Sequence, residues 1–175
     1  FRAVVDRAKT QPGEWLAVHG CGGVGLSAII IGAAIGAQVL AVDVNDDALT
    51  LARSLGAGAT LNASDVADVG TAVRDLTGGG AHVSLDALGI TTTFHNSLKS
   101  LRKMGRHVQI GMPLGPHATP DLPLLDLVYS RQITLHGTRG IGADRFAALF
   151  DMIAAGRLDP ARLVTHRIGL SGLNT

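Results

Sequence analysis

The chain has 175 residues, of which 46% are hydrophobic and 3% aromatic, and this length suits one domain with a sizeable core. Fifteen basic and 14 acidic residues give a formal net charge of +1 without a basic run, which argues against nucleic acid or an anionic membrane surface as a partner. One cysteine excludes an internal disulfide and a four-cysteine metal site, and no apolar run is long enough to span a membrane, so we expect a reduced, cytoplasmic setting.

Helices and strands alternate through the first half of the sequence. Apolar spacing predicts a short helix over residues 1–9 and strands over 15–19, 38–42 and 59–61. Helices are predicted over 26–35, over 46–55 after the capping residue Asn45, and from a cap at Ser64 or Asp65 as far as Leu76.

The second half continues the alternation. Strands are predicted over 82–86, 105–110 and 132–137, and helices over 91–101 and 143–155, with a short helical segment over 124–129. Residues 113–123 contain four of the six prolines and are expected to form an irregular loop, and 164–168 resembles a last short strand without an obvious partner. Apolar strands that alternate with helices predict parallel βαβ units. We therefore expect an α/β, doubly wound six-stranded parallel sheet, the Rossmann fold, with strand order 3-2-1-4-5-6 in a single domain.

A glycine motif stands between the first strand and the following helix. Gly20, Gly22 and Gly25 have the GxGxxG spacing, which is weak by itself but specific in this strand–turn–helix position. Gly20 permits the sharp turn, Gly22 leaves room for a pyrophosphate, and Gly25 lets the helix pack closely on the sheet. The free N–H groups of the helix N-terminus favour an anion at this position. The motif therefore predicts a dinucleotide-binding loop.

Asp43 ends the second predicted strand, 18 residues after Gly25, close to the spacing of the acidic residue that binds the adenosine ribose. A carboxylate at this point accepts hydrogen bonds from ribose hydroxyls and repels a 2′-phosphate. Residues 44–47 add two acids and no arginine. The sequence therefore favours NAD over NADP.

Longer stretches around these residues resemble the coenzyme-binding domain of the medium-chain, zinc-type alcohol dehydrogenases. The first βα unit of that family is similar to QPGEWLAVHGCGGVGLS at 11–27, followed in the same order by AVDVN at 41–45 and ARSLGA at 52–57. The ends of the family's fourth, fifth and sixth strands resemble DALG at 86–89, VQIGM at 108–112 and LHG at 135–137. The match covers nearly the whole chain, and the combination is more specific than any one motif.

The resemblance implies which residues contact NAD(H). The pyrophosphate would lie against Gly22, Gly23 and Val24 in the loop shaped by Gly20 and Gly25. The remaining implied contacts are Asp43 at the adenosine ribose, Ala87 and Leu88 at the nicotinamide-side ribose, and Ile110, Gly111, Met112, Thr134 and His136 at the nicotinamide. Two basic residues common in the family are replaced here by Ala48 and Ile90, which affects the expected affinity.

The resemblance also implies a reaction, and a second domain that supplies the zinc ligands. The family transfers hydride between an alcohol or aldehyde and the nicotinamide, with a catalytic zinc that stabilises the alkoxide. Its zinc ligands come from another domain, and we expect no metal site and no catalytic residue among residues 1–175. The chain starts at Phe1 and ends in a sequence, 171–175, that resembles the cap of a further helix. We therefore expect a fragment of a larger enzyme that binds NAD without turnover by itself.

Several other residues have an ordinary interpretation as well as a functional one. Cys21 is expected to be a small apolar filler rather than a redox switch, and the seven isolated histidines are expected to be core or surface residues rather than ligands. Asp86 is expected to accept hydrogen bonds from loop N–H groups rather than to act as a general base. The triplet 78–80 is expected to be a turn, and Arg139 to contact either a pyrophosphate or a surface acid. Residues 131–138 form an expected sheet edge that would pair in a homodimer, as the family often does.

Three alternatives remain open from the sequence. An NADPH-dependent quinone or enoyl reductase without zinc is disfavoured by Asp43. A methyltransferase is disfavoured because no acid precedes the first glycine, where Val18 and His19 stand. A non-enzymatic NAD-sensing module would use the same loop and is distinguished only by residues upstream of Phe1.

Overall fold

Six parallel strands form one sheet in the order β3-β2-β1-β4-β5-β6. The computed structural model describes residues 1–169. Its strands β1 to β6 span Trp15–His19, Gln38–Asp43, Ala59–Asn62, Ala81–Asp86, Leu101–Gln109 and Thr134–Gly137. This confirms the predicted doubly wound α/β fold, its strand order and its single domain.

In the described part of the chain, five α-helices cover the two faces of the sheet. Helices α1 to α5 span Gly23–Ala34, Asp46–Ser54, Val69–Leu76, Thr91–Lys99 and Phe146–Ala154. The side chain of Asn45 caps α2 by accepting from the N–H of Ala48, and Asp68 caps α3 by accepting from Thr71. Residues Arg2–Arg7 and Leu124–Tyr129 form π-helical segments, and single 3-10 turns occur at Ala63–Asp65, Gly115–His117, Ala143–Arg145 and Pro160–Leu163.

The structure corrects several element boundaries. Helix α3 does not begin after Ser64 or Asp65, because Asn62 caps a separate turn there and Val66 is extended (φ −131°, ψ 144°). Strand β5 begins four residues earlier than predicted, and Met104 at its irregular start has a left-handed φ of 60°. The strand predicted over 164–168 is absent: the backbone there is irregular and the residues are exposed. The helix cap predicted from 171–175 lies outside the described residues.

The two faces of the sheet differ in chemistry. On one face, alternate strand residues such as Leu16, Val18 and Leu85 pack against apolar residues of α1 and α2. On the other face, Ala17, Leu40 and Val42 pack against α3. Toward α4, however, this second face carries fully buried polar side chains: His19, Ser84, Asp86 and His107. Within residues 1–169, no helix has the length and apolarity needed to cross a membrane.

Candidate nucleotide-binding site

The loop between β1 and α1 requires glycine at two positions for the fold itself. Gly20 has a left-handed φ of 96°, and a Cβ on it would lie 2.0 Å from Cδ1 of Leu88. A Cβ on Gly25 would lie 1.7 Å from the carbonyl oxygen of Gly20. These two glycines therefore let the first turn of α1 close onto the end of β1, and this contact sets the direction in which the helix N-terminus points.

Gly22 and Gly23 differ, because a Cβ on either of them would meet nothing within 4 Å. Gly22 is the N-cap of α1 with an ordinary φ of −75°, and neither a side-chain cap nor an acidic residue occupies the first turn. The first N–H groups of this 12-residue helix have no intrahelical acceptor, and the space beside Gly22 and Gly23 is open. Such a terminus carries a partial positive charge that favours an anion.

The carboxylate of Asp43 lies against the glycine loop. Its Oδ2 accepts from the N–H of Cys21 at 2.6 Å, and its Oδ1 accepts from Val44 at 2.8 Å and Asn45 at 3.0 Å. A carboxylate offers about four acceptor sites, so one site on Oδ2 is left for a ligand hydroxyl. Asp46 and Asp47 follow in the first turn of α2 and make this end of the sheet acidic.

Asp86 is fully buried at the end of β4 and organises the next loop. Its Oδ1 accepts from the N–H groups of Leu88 at 2.9 Å and Gly89 at 3.1 Å and from the hydroxyl of Thr93 at 2.9 Å. Asp86 thus accepts hydrogen bonds from the N–H groups of the loop, as expected from the sequence. Gly89 and Gly111 touch backbone to backbone, since a Cβ on Gly111 would lie 2.2 Å from the nitrogen of Gly89. The loop that carries Ala87 and Leu88 is therefore in direct backbone contact with the loop that carries Ile110 to Met112.

A cavity of about 580 Å³ opens beside the helix terminus. It brings together three residues expected at the cofactor, Gly23, Val24 and Ile110, and adds Thr138 and Arg139 from the segment after β6. Most of its wall is apolar and comes from residues 1–4, α1 and α5. The other residues expected at the cofactor do not line it: Gly20, Gly22, Gly25, Asp43, Ala87, Leu88, Gly111, Met112, Thr134 and His136. Thr134 pairs with Arg106 at the start of β6, about 10 Å along the strand from its carboxyl end.

Thr138 was not singled out in the sequence, although its position carries a signal. Ligands in such sheets bind at the carboxyl ends of strands. The N–H of Thr138 donates to Gln109 at 3.1 Å, so Thr138 directly follows the last residue of the β6 ladder. Arg139 is exposed beside it and its carbonyl accepts from Arg2 at 3.0 Å.

The remaining residues behave as structural groups. Cys21 is buried, and burial followed by the nearby Asp43 charge raises the pKa of its thiol to about 12. Gly78, Gly79 and Gly80 all have positive φ and form the turn into β4. Ala48 serves the cap of α2, and Ile90 precedes α4. Residues 1–169 hold no group of three or more His, Cys, Asp or Glu side chains that could bind a metal, so the zinc implied by the resemblance does not fit these residues.

Comparison with known proteins places this geometry in a family. The family model for zinc-binding dehydrogenases matches residues 23–155. The chain is 36% identical over 152 residues to an alcohol dehydrogenase of Moraxella sp. strain TAE123, which covers 85% of this chain and 42% of that protein. It is 34% identical over 168 residues to a geraniol dehydrogenase of Castellaniella defragrans, covering 94% and 44%.

A solved structure agrees with these relatives. The alcohol dehydrogenase TADH from Thermus sp. ATN1 superposes with a TM-score of 0.85 at 31% identity, covering 94% of this chain and 46% of that one. The chain thus spans less than half the length of the relatives it matches. It belongs to the zinc-binding dehydrogenase family and corresponds to the coenzyme-binding domain of the zinc-type alcohol dehydrogenases.

Proposed function

We propose that the chain binds NAD(H) and presents it for hydride exchange with an alcohol or aldehyde in an NAD-dependent, zinc-type alcohol dehydrogenase. One observation carries the proposal: open space at Gly22 and Gly23, in front of the uncapped terminus of α1, lies beside the carboxylate of Asp43. A diphosphate and an adjacent ribose fit these two neighbouring features.

The diphosphate is proposed to lie in front of Gly22, Gly23 and Val24. The N–H groups of the first turn of α1 donate to its oxygens, and the absence of a side chain at Gly22 lets the phosphates approach the backbone. Arg139 lines the same cavity as Gly23 and Val24 and is free to place its guanidinium on a phosphate oxygen. Thr138 adds a hydroxyl on the same wall.

The adenosine ribose is proposed to bind at Asp43, and this predicts a preference for NAD(H). The remaining acceptor site on Oδ2 takes one ribose hydroxyl, whereas a 2′-phosphate would bring negative charge against this carboxylate and the acids at 46 and 47. One such repulsion at 4 Å is worth about 1–4 kcal/mol between bulk water and a protein surface. We therefore expect NADH to bind at least about tenfold more tightly than NADPH.

The nicotinamide half is proposed to lie on the joined loops that carry Ala87, Leu88, Ile110, Gly111 and Met112, with the segment after β6 closing the site. Thr134 and His136, farther down β6, would act through the position of that segment. When zinc is bound in a whole enzyme of this type, it supplies the Lewis acid that stabilises an alkoxide. Because the described residues lack a zinc-binding cluster, we expect this chain to bind the nucleotide without oxidising alcohols.

Calorimetric titration of the chain with NADH and NADPH tests the proposal. We expect binding of NADH, weaker binding of NADPH, and a smaller difference between them in Asp43→Asn. Asp75→Asn is the matched control, because Asp75 is an exposed acid on α3 remote from the glycine loop. A preference for NADPH would instead support the zinc-free reductase, and binding of S-adenosylmethionine but not NADH would support a methyltransferase. An NAD-sensing module would bind like the dehydrogenase, and the two are distinguished by alcohol oxidation in the whole protein.

A further inference from the structure

A continuous chain of buried polar side chains runs between α4 and the sheet, beneath the loop that follows β4. Four of its members, Ser84, Asp86, Ser97 and His107, are at most 1% exposed. Gln109 joins them: its Nε2 lies 2.8 Å from Oδ2 of Asp86, and its Oε1 lies 3.2 Å from Nε2 of His107. The Nδ1 of His107 is 2.8 Å from Oγ of Ser97, which is 2.8 Å from Oγ of Ser84.

The contacts of the Gln109 amide fix the direction of the hydrogen bonds in this network of side chains. The Nε2 of Gln109 contacts both the Asp86 carboxylate and, at 2.9 Å, the carbonyl oxygen of Gly111. A carbonyl oxygen only accepts, so the amide NH₂ faces these two groups and Oε1 faces His107. His107 therefore donates from Nε2.

Burial lowers the pKa of His107 to about 4, so its ring is neutral at pH 7 and carries one proton. With that proton on Nε2, Nδ1 accepts from the hydroxyl of Ser97, which in turn accepts from Ser84. A neutral histidine can exist as either tautomer, and here its neighbours select one.

We propose that Asp86 and Gln109 are a pair of positioning residues that hold the nicotinamide half of the site, and that the same pair fixes His107 as the Nε2–H tautomer. Asp86 holds the N–H groups of Leu88 and Gly89, and Gln109 holds the carbonyl of Gly111. The pair thus joins the loop after β4 to the loop after β5. The cofactor part of this proposal rests on the proposed function, whereas the tautomer and the loop contacts do not.

The geometry also limits what the pair controls. The diphosphate and adenosine contacts come from the glycine loop and Asp43, on the β1 and β2 side of the sheet. Loss of the pair should therefore weaken binding of the nicotinamide half and leave the adenosine diphosphate half in place. A residue needed only for general stability would affect both halves equally.

The first test needs no ligand. Nitrogen-15 NMR of the wild-type chain should show His107 neutral at pH 7 with its proton on Nε2. In Gln109→Met, which keeps the side-chain length but removes the amide, the tautomer preference should be lost and the amides of Leu88 and Gly89 should exchange hydrogen faster. Ser100→Ala is the control, because Ser100, the residue that follows α4, is equally buried but contacts His19 and Asn96 instead; it should leave His107 and both amides unchanged.

The second test uses the nucleotide. Gln109→Met should lower the affinity for NADH by about tenfold, as expected when buried hydrogen bonds are removed, while adenosine diphosphate binds within about twofold of wild type. A proton on Nδ1 or a charged His107 at pH 7 would overturn the tautomer, and unchanged exchange at Leu88 and Gly89 would overturn the loop-holding role. Equal losses for NADH and adenosine diphosphate would show a merely structural role. Failure of the wild type to bind either nucleotide would refute the proposed function and leave the NMR result standing.

Discussion

Alanine at two glycines of the β1–α1 loop should separate binding from folding. In Gly22→Ala the added methyl meets nothing within 4 Å and the φ of −75° suits alanine. The poorer N-cap costs a few tenths of a kcal/mol or more, and the stiffer unfolded chain offsets about 0.4–1 kcal/mol of it. The free energy of unfolding should therefore change by less than about 0.5 kcal/mol. In Gly25→Ala the methyl would stand 1.7 Å from the Gly20 carbonyl oxygen, so backbone must move, at a cost of about 1–3 kcal/mol.

Urea unfolding and NADH titration of the same samples measure both effects. For Gly22→Ala we expect an unchanged unfolding midpoint and at least about a tenfold loss of NADH affinity, because the methyl occupies the space proposed for the diphosphate. Gly25→Ala should lower the midpoint. Gly58→Ala is the control, since Gly58 is exposed outside the glycine loop and its added Cβ makes only an ordinary contact of 3.9 Å. Wild-type NADH affinity in Gly22→Ala would refute the assignment of that space to the cofactor.

Three further outcomes follow from buried and edge residues. Burial lowers the pKa values of His19 and His107 from 6.5 to about 4. Unfolding therefore takes up protons between these values, and the free energy of unfolding should fall by up to about 1.4 kcal/mol per pH unit for each histidine as the pH drops from 6.5 to 4. In His107→Gln, the free energy of unfolding measured in urea should depend less steeply on pH across this range. A pH dependence equal to that of the wild type would contradict the argument. Cys21, with a thiol pKa raised to about 12, should react with a thiol reagent at pH 8 only in urea, and rapid labelling of the folded chain would contradict its burial. The β6 edge should form a dimer at high micromolar concentration that Leu135→Lys dissociates, as measured by sedimentation; a monomeric wild type would count against edge pairing.

The strand order could be predicted because the central strands are apolar runs bounded by glycine and polar turns. The predicted start of α3 was wrong because several residues before it can cap a helix. Ser64 and Asp65 are both residue types that cap helices. In the structure, however, the side chain of Asn62 accepts from the N–H of Ser64 in a separate turn, and α3 is capped by Asp68. The apolar pattern over 164–168 indicated a strand, but these residues are exposed and pair with neither edge strand, β3 or β6.

Some residues of the candidate site could likewise be predicted from the sequence, and others could not. The positions of the glycine loop and Asp43 at adjacent strand ends could be predicted, because their spacing coincides with the predicted strand–turn–helix order. Thr138 directly follows the predicted end of the sixth strand at 137, but the resemblance pointed to Thr134 and His136 on the strand itself. The role of Gln109 could not be read from the sequence, since its partners Asp86 and Gly111 lie on different strand ends and meet only in the folded sheet.

The two faces of the sheet hold their neighbouring loops and helices by different forces. On the α1 face the helix is positioned by close apolar packing: a Cβ on Gly32 would lie 2.5 Å from Cδ2 of Leu16, so the helix rests almost directly on the strand. Such packing excludes water but has no preferred direction. On the α4 face the loops after β4 and β5 are held by hydrogen bonds, which do have direction. An apolar replacement such as His107→Leu would keep that face buried but remove the acceptor of the Ser97 hydroxyl, which would keep only Ser84, and the donor to the Gln109 amide oxygen, at about 1–3 kcal/mol for a buried group left unpaired. The loops after β4 and β5 are therefore held by directional contacts, whereas α1 is held against the sheet by close apolar packing.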